Sequence, residues 1–463
     1  DAPPGARPVL RGVASLPGRV APWTLIDLAS ELHGLGADAT ELLALAAGVP
    51  LRTVPTAPWA GREGGSVLAA VAAATRCADP FRAVPWPLEA AIRQLADWRL
   101  AEAERRRIVA CTGIEWFKLS RLRSALAHHA GTPQIIQRGS EAIRLARRGG
   151  GAVGVWAATM PEDLPARCAA AGVPLVRLED GFIRSAGLGV RLAPAASLVL
   201  DRSGIHYDPA SASDLERLLA CTEFDAPLLA RAAALRRALI AAGVTKYNLA
   251  GALPRLDLPT GRPVVLVAGQ VEDDAAMLRG GAAIRTNLGL LQAVRAAEPQ
   301  AVILFKPHPD VESGLRRGAV PEAAALRLAD RVLAGVPIGP LYGQVDAVHS
   351  IASLAGFEAL LRGLRVVTWG RPFYAGWGLT EDRDPPPRRG RVLGLDALVA
   401  GALILYPRCV DPVTGLPCPP ELLLERLAVP RPGGATRARI TATPVAALVA
   451  RTSRFLAGWW AAR

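Results

Sequence analysis

The chain has 463 residues, 51% of them apolar, enough for about three α/β units with buried cores. Its 54 Lys and Arg against 41 Asp and Glu leave a net charge of +13, which fits an anionic partner (nucleic acid, a membrane surface or an acidic substrate) or equally a composition biased toward solvated arginine. The lack of basic–aromatic repeats and of a recognition helix excludes nucleic acid; six scattered cysteines without C-x-x-C exclude a zinc site and a disulfide framework, and predict reduced thiols in the cytosol.

The elements follow in chain order. GVPLRTVPTAPWAG at 48–61 echoes GLRVVTWGRPFYAG at 363–376 at an offset of 315. RCADP at 76–80 echoes RCVDP at 408–412 at an offset of 332, the difference fitting a longer loop, DRDPPPRRGR at 382–391, in the later copy. Residues 1–105 therefore read as the degenerate or truncated tail of an upstream repeat module. Asp1 rather than Met opens the sequence, which reads as a trimmed or processed chain. A leading connector helix and a first βαβ half follow over 106–257, with GAVGVWAA and VPLVRLEDG as strands. GRPVVLVAGQ at 261–270 opens a second half over 258–427, with the strands AVILF and LRVVTWG and the helix SIASLAGFEALLRG. The alternation predicts an α/β class with two facing Rossmann-like domains. No charge-free apolar run reaches about 18 residues, so no membrane span is predicted. The tail 428–463 ends in PVAALVARTSRFLAGWWAAR, which reads as an interfacial helix on a membrane surface or as a helix packed back on the module.

Polar turns after parallel strands collect at one sheet edge, where ligands bind. KPHPD at 306–310 places Lys306 and His308 there, stiffened by Pro307 and Pro309, and that pair suits a phosphate. Only three lysines occur, so Lys306 reads as a point charge that arginine does not replace. Ser353 opens the downstream helix, as an anion contact or as a plain N-cap. Glu358, five residues on, reads as a half-buried acceptor for ribose hydroxyls or as part of a solvated face. QVEDD supplies Gln270, Glu272, Asp273 and Asp274 as metal ligands, base, nucleophile or helix cap. EDG supplies Glu179 and Asp180 before a flexible Gly181, fitting a base for an acceptor hydroxyl. Arg184 meets a substrate carboxylate or a surface acid. RPFYAGWG at 371–378 offers Tyr374 and its neighbours to a sugar or to the core.

EDGFIRSAGLG, SLVLDRSGIHYD, TKYN at 245–248, GQVEDD, KPHPD, SLAGFEALLRG, PFYAGWGLTEDR and YPRCVDPVTGLPC, in that order, resemble the KpsC-type capsule polysaccharide β-Kdo transferases from about 130 to 427. The resemblance implies a GT-B glycosyltransferase with CMP-Kdo as donor, no cofactor and no metal. It implies a phosphatidylglycerol-type lipid-linked Kdo acceptor at the cytoplasmic face of the inner membrane, with the protein peripheral there beside other capsule-assembly proteins. Members commonly carry two tandem modules, which matches the internal echo. By resemblance His308 and Ser353 hold the CMP phosphate and Glu358 the ribose. The Q-x-x-x-D pattern falls on Gln270 and Asp274, with Asp274 as the nucleophile of a retaining transfer and Glu179 and Asp180 as rival base or nucleophile. A CMP-sialic-acid transferase and a non-catalytic assembly scaffold are the competing readings.

Overall fold

The computed structural model describes residues 29–34, 39–56, 64–183, 197–244, 255–281 and 283–428. Arg184, the TKYN run and the tail after 428 lie outside the described residues. The chain forms two compact units, 1–96 and 97–463.

In the first unit, β1 (Leu32–Gly34) and β2 (Leu51–Thr53) pair in parallel across the helix Ala39–Ala46, Leu32 opposite Leu51. The helix Gly64–Ala74 follows, then the hairpin of β3 (Cys77–Ala78) and β4 (Pro85–Trp86). The helix Leu88–Arg106 contains the division between the units.

The second unit holds two sheets. The first contains β5 (Ile108–Thr112), β6 (Gln134–Ile135), β7 (Ala152–Trp156), β8 (Leu175–Asp180) and β9 (Ser197–Asp201); β6, β5, β7 and β8 are parallel neighbours in that order and β9 is antiparallel to β8. The second is parallel throughout: β10 (Val264–Ala268), β11 (Val302–Lys306), β12 (Arg331–Val332), β13 (Ala347–Ser350), β14 (Arg365–Thr368) and β15 (Glu381–Asp382), in the order β12-β11-β10-β13-β14-β15. β10 reads VVLVA and β11 VILFK, and every residue of both is buried. A continuous apolar run is what a parallel strand covered on both faces requires.

The boundary at 427 read from the sequence does not match the sheets. The chain turns through the π-helical segment Ala400–Leu405 and returns β16 (Pro407–Val410) to pair antiparallel with β9, with β17 (Pro417–Cys418) beyond it. The Tyr406 hydroxyl, buried at the crossing, donates to Asp201 at 2.7 Å. Phe182 after β8 stacks on Phe373 after β14, with ring centroids 4.4 Å apart, so one apolar cluster joins the two sheets. Among the described residues no helix is long and apolar enough to cross a membrane.

The echoes in sequence are echoes in geometry. An offset of 315 carries the helix Ala39–Ala46 onto Leu354–Leu361, each linking two parallel strands. At an offset of 332 the two hairpins pair residue for residue: Cys77 with Trp86 as Cys409 with Cys418, and Ala78 with Pro85 as Val410 with Pro417. Asp79 accepts from the amides of Phe81 and Arg82, and Asp411 from those of Val413 and Thr414. Ala83, at φ 55°, stands where the later copy has Gly415, at φ 72°.

Candidate active site

At the carboxyl edge of the parallel sheet, β10 lies between β11 and β13, so three turns meet around Gln270. Gln270 is buried, and its side-chain oxygen accepts from the amides of Ile351 (3.2 Å) and Ala352 (2.8 Å). Its own amide donates to Asn287 Oδ1, and Asn287 Nδ2 donates back to the carbonyls of Gln270 and Gly318. The catalytic role expected of Gln270 is thus corrected: its oxygen is spent on joining the β10 and β13 turns. Glu272 accepts from the Asn287 amide at 2.7 Å, and Asp273 from Arg316 Nε at 3.2 Å. Asp274 differs from its neighbours. It stands at the head of the helix Ala275–Gly280 without capping it, its carboxylate half exposed and 3.9 Å from the Arg316 guanidinium.

The β11 turn packs directly on the end of β10. A Cβ at Gly269 would lie 3.1 Å from Lys306 O and 3.3 Å from His308 N, so glycine permits the approach. His308 Nδ1 accepts from the Asp310 amide at 3.1 Å, which leaves the proton of the neutral ring on Nε2 as a donor. Pro309 holds the next position in the short helix Pro309–Glu312. Lys306 departs from expectation. Its ammonium is buried and folds back on its own turn, donating to Pro307 O at 2.6 Å and Glu312 Oε1 at 2.9 Å. Burial pulls its pKa down while Glu312 opposes the shift. The ammonium shapes the turn and is not presented to a ligand.

Ser353 caps the helix Leu354–Leu361, its hydroxyl accepting from the Ala355 amide at 3.2 Å. Tyr374 is fully buried behind it, so a sugar contact there is corrected. Its hydroxyl donates to Ser353 O at 2.6 Å and lies 3.2 Å from Ser350 Oγ. A Cβ at Gly356 would fall 2.3 Å from that hydroxyl, so the helix start and the tyrosine fit only with glycine between them. Glu358 is buried rather than half-buried, with Oε2 held at 3.0 Å by the hydroxyl of Tyr342, itself buried.

From the other sheet, β8 ends on Glu179 and Asp180, both part-exposed. Glu179 Oε1 accepts from the Asp180 amide at 3.0 Å, and Oε2 lies 3.4 Å from the Tyr207 hydroxyl. Gly181 serves closeness rather than flexibility, since a Cβ there would meet Ser197 Oγ at 2.2 Å. Tyr207 is buried beside Glu179. Its pKa is raised by burial first, then by the charge of Glu179, with Asp274 adding to the rise and Arg279 opposing it. Next to it Asp208 pairs with Arg279 at 2.6 Å, docking the helix that follows Asp274 onto the Tyr207 turn. Glu179 thus meets the Tyr207 hydroxyl from one sheet and the helix headed by Asp274 docks on the same turn from the other, with the His308 and Ser353 turns on the edge that carries Asp274.

Sequence reasoning missed Tyr207, Tyr342, Asn287 and the Arg316 contact. Tyr207 carried a signal, since HYD closes a strand-and-turn run. It also missed a strap across the sheets. Arg388 and Arg389 pair with the two oxygens of buried Glu216 at 2.9 and 3.0 Å, and Arg389 donates onward to Pro372 O and Ala375 O. Arg391 donates to Thr222 O at 2.8 Å. These arginines lie in the Pro/Arg-rich stretch that lengthens the later copy.

Comparison with known proteins gives three findings. A family described as capsule polysaccharide biosynthesis protein matches residues 151–249 and 230–406. The chain is 46% identical over 242 residues to capsule polysaccharide modification protein LipA of Neisseria meningitidis, covering 52% of this chain and 34% of LipA. It is 41% identical over 268 residues to the lipopolysaccharide-processing protein LpsZ of Rhizobium meliloti, covering 56% of this chain and 61% of LpsZ. The matched stretch thus spans about a third of the LipA length. Among solved structures, the β-Kdo 2,7 transferase of Thermosulfurimonas dismutans KpsC aligns with a TM-score of 0.56 at 33% identity, over 69% of this chain and 98% of that one. The β-Kdo 2,4 transferase of the same KpsC aligns with a TM-score of 0.60 at 28% identity over the same shares.

Proposed function

The chain belongs to the capsule polysaccharide biosynthesis protein family, and from that premise we propose that it is a retaining β-Kdo glycosyltransferase of GT-B architecture. It moves Kdo from CMP-Kdo to a lipid-linked Kdo acceptor at a membrane surface. The observation that carries the proposal is the docking of the helix headed by Asp274, through the Asp208–Arg279 pair, on the turn whose Tyr207 hydroxyl meets Glu179 of the other sheet, beside the His308 and Ser353 turns.

The β10–β15 sheet takes the donor. His308, with Pro309 fixing the turn, and the amide-rich start of the Ser353 helix hold the CMP phosphate; Glu358, oriented by Tyr342, accepts from the ribose. The β5–β9 sheet takes the acceptor. Asp274 Oδ bonds to the anomeric carbon as its bond to the phosphate oxygen breaks, and the electron pair leaves on CMP. The acceptor hydroxyl then attacks that carbon, the Asp274 carboxylate departs, and the hydroxyl proton passes to Glu179 or Asp180. Two displacements preserve the configuration. Residues 1–105 are the tail of an upstream module on this reading, which the paired hairpins support.

Mass spectrometry of the protein with CMP-Kdo and no acceptor tests the mechanism. A sugar adduct that disappears in Asp274→Ala is the expected outcome. An adduct that survives in Asp274→Ala and disappears in Asp180→Ala would move the nucleophile, and no adduct in the native chain would remove the covalent step.

A further inference from the structure

The proposed reaction leaves one exposed aromatic ring unused. Trp116 opens the 3-10 turn Trp116–Lys118 after β5. It is 60% exposed, and among the described residues it is the one aromatic among the large apolar side chains so exposed. The turn is held rigidly. Thr159 Oγ1 donates to Gly113 O at 2.6 Å, tying the β5 turn to the one after β7. The Lys118 ammonium pairs with Glu115 at 2.7 Å and stands 4.0 Å over the ring of Trp156, the last residue of β7. A ring kept in water by a pinned turn is preorganised to cover a ligand face.

Its position supplies the ligand. β5, β7 and β8 are successive parallel neighbours, so the Trp116 turn and Glu179 share one sheet edge, two strand spacings or about 10 Å apart. A cation flanks the path. Arg138 is exposed after β6, in a turn tied to the end of β5 by Thr112 Oγ1 donating to Gln137 O at 3.1 Å. The nearby acids are Glu115, paired with Lys118, and Glu141, 3.6 Å from Arg144. We propose that Trp116, on the turn that Lys118 pins, forms with Arg138 a subsite for the acidic sugar rings of the acceptor that lie beyond the reacting one. The ring stacks on the apolar face of a sugar while the Arg138 guanidinium meets its carboxylate. The proposal rests on the transferase reading of the cleft and adds acceptor-length recognition to it.

Calorimetric titration of the full chain with glycans of two and four carboxylated sugars, without donor, tests it. Trp116→Ala is expected to weaken the four-sugar glycan about tenfold and the two-sugar glycan less than twofold, with most of the loss regained in Trp116→Phe. Arg138→Gln is expected to lower the four-sugar affinity and flatten its dependence on salt. Unchanged four-sugar affinity in Trp116→Ala, or an equal loss for both lengths, overturns the subsite. Intact glycan affinities with lost binding to anionic phospholipid vesicles would instead give the ring to a bilayer. Length-dependent binding that needs Trp116, in a chain that transfers no sugar, would keep the subsite and remove the transferase reading.

Discussion

Single side chains decide how the acids at the sheet edges are held. The Tyr342 hydroxyl fixes one oxygen of Glu358, so on the proposed transferase reading Tyr342→Phe should raise the KM for CMP-Kdo about tenfold while changing kcat little, measured by initial rates. His349, on β13, is fully buried and accepts from the Trp369 indole at 3.2 Å. Burial pushes its pKa down from 6.5 to about 4, against an upward pull from Glu298. The unfolded chain takes up this proton near pH 6.5 and the native one only near pH 4. Stability is therefore full above the upper value and falls as the pH drops through that window, by up to about 3 kcal/mol. His349→Asn keeps an acceptor for the indole and should flatten the slope; urea unfolding at pH 7 and pH 5 that declines equally in both proteins would refute it. The place of Glu179, Asp274 and His308 in turns at the strand ends was legible in the sequence, because each turn follows an apolar run and is itself polar. The contacts of Lys306 and Gln270 were not: both residues share those turns, but what their polar atoms meet depends on backbone brought in from elsewhere or folded back locally.

Elements are joined by buried polar groups whose loss is asymmetric. Glu216 and Arg389 are both buried, whereas Arg388 is 39% exposed. Arg389→Met leaves one buried Glu216 oxygen and the Pro372 and Ala375 carbonyls without their donor and should cost on the order of 3 kcal/mol; Arg388→Met should cost about 1 kcal/mol or less. Thermal unfolding ranks the two, and equal losses would mean the strap does not bridge the sheets in solution. The repeated hairpin yields a second comparison. Ala83 pays a left-handed backbone with a Cβ, so Ala83→Gly should be neutral or stabilising, while Gly415→Ala should lose about 1 kcal/mol. The strands were readable because parallel strands covered on both faces appear as unbroken apolar runs. The return of β16 was not, because short strands such as PRCV carry no sign of which sheet they join.

The whole molecule depends on the long helix Leu88–Arg106 beyond its role as a connector. Trp98 Nε1 donates to Pro417 O at 2.7 Å, and Glu104 pairs with Arg408 at 2.6 Å. A chain starting at residue 88 should keep transfer activity, whereas one starting at 107 should unfold at lower temperature, because Arg408 and Pro417 lose their partners; equal melting temperatures would refute this. The matching strand pairs and hairpins were legible from two short echoes, because turn-bearing segments keep their residues where a backbone demands them. The equivalence of the hairpins extends past their strands: at the same offset of 332, Leu88 and Pro420 each open the helix that leaves the turn. The helix therefore leaves the turn at the same step in both copies, so a cut before Leu88 or before Pro420 falls at matching points of the fold, and a chain rejoined there keeps the hairpin whole on one side and the helix whole on the other.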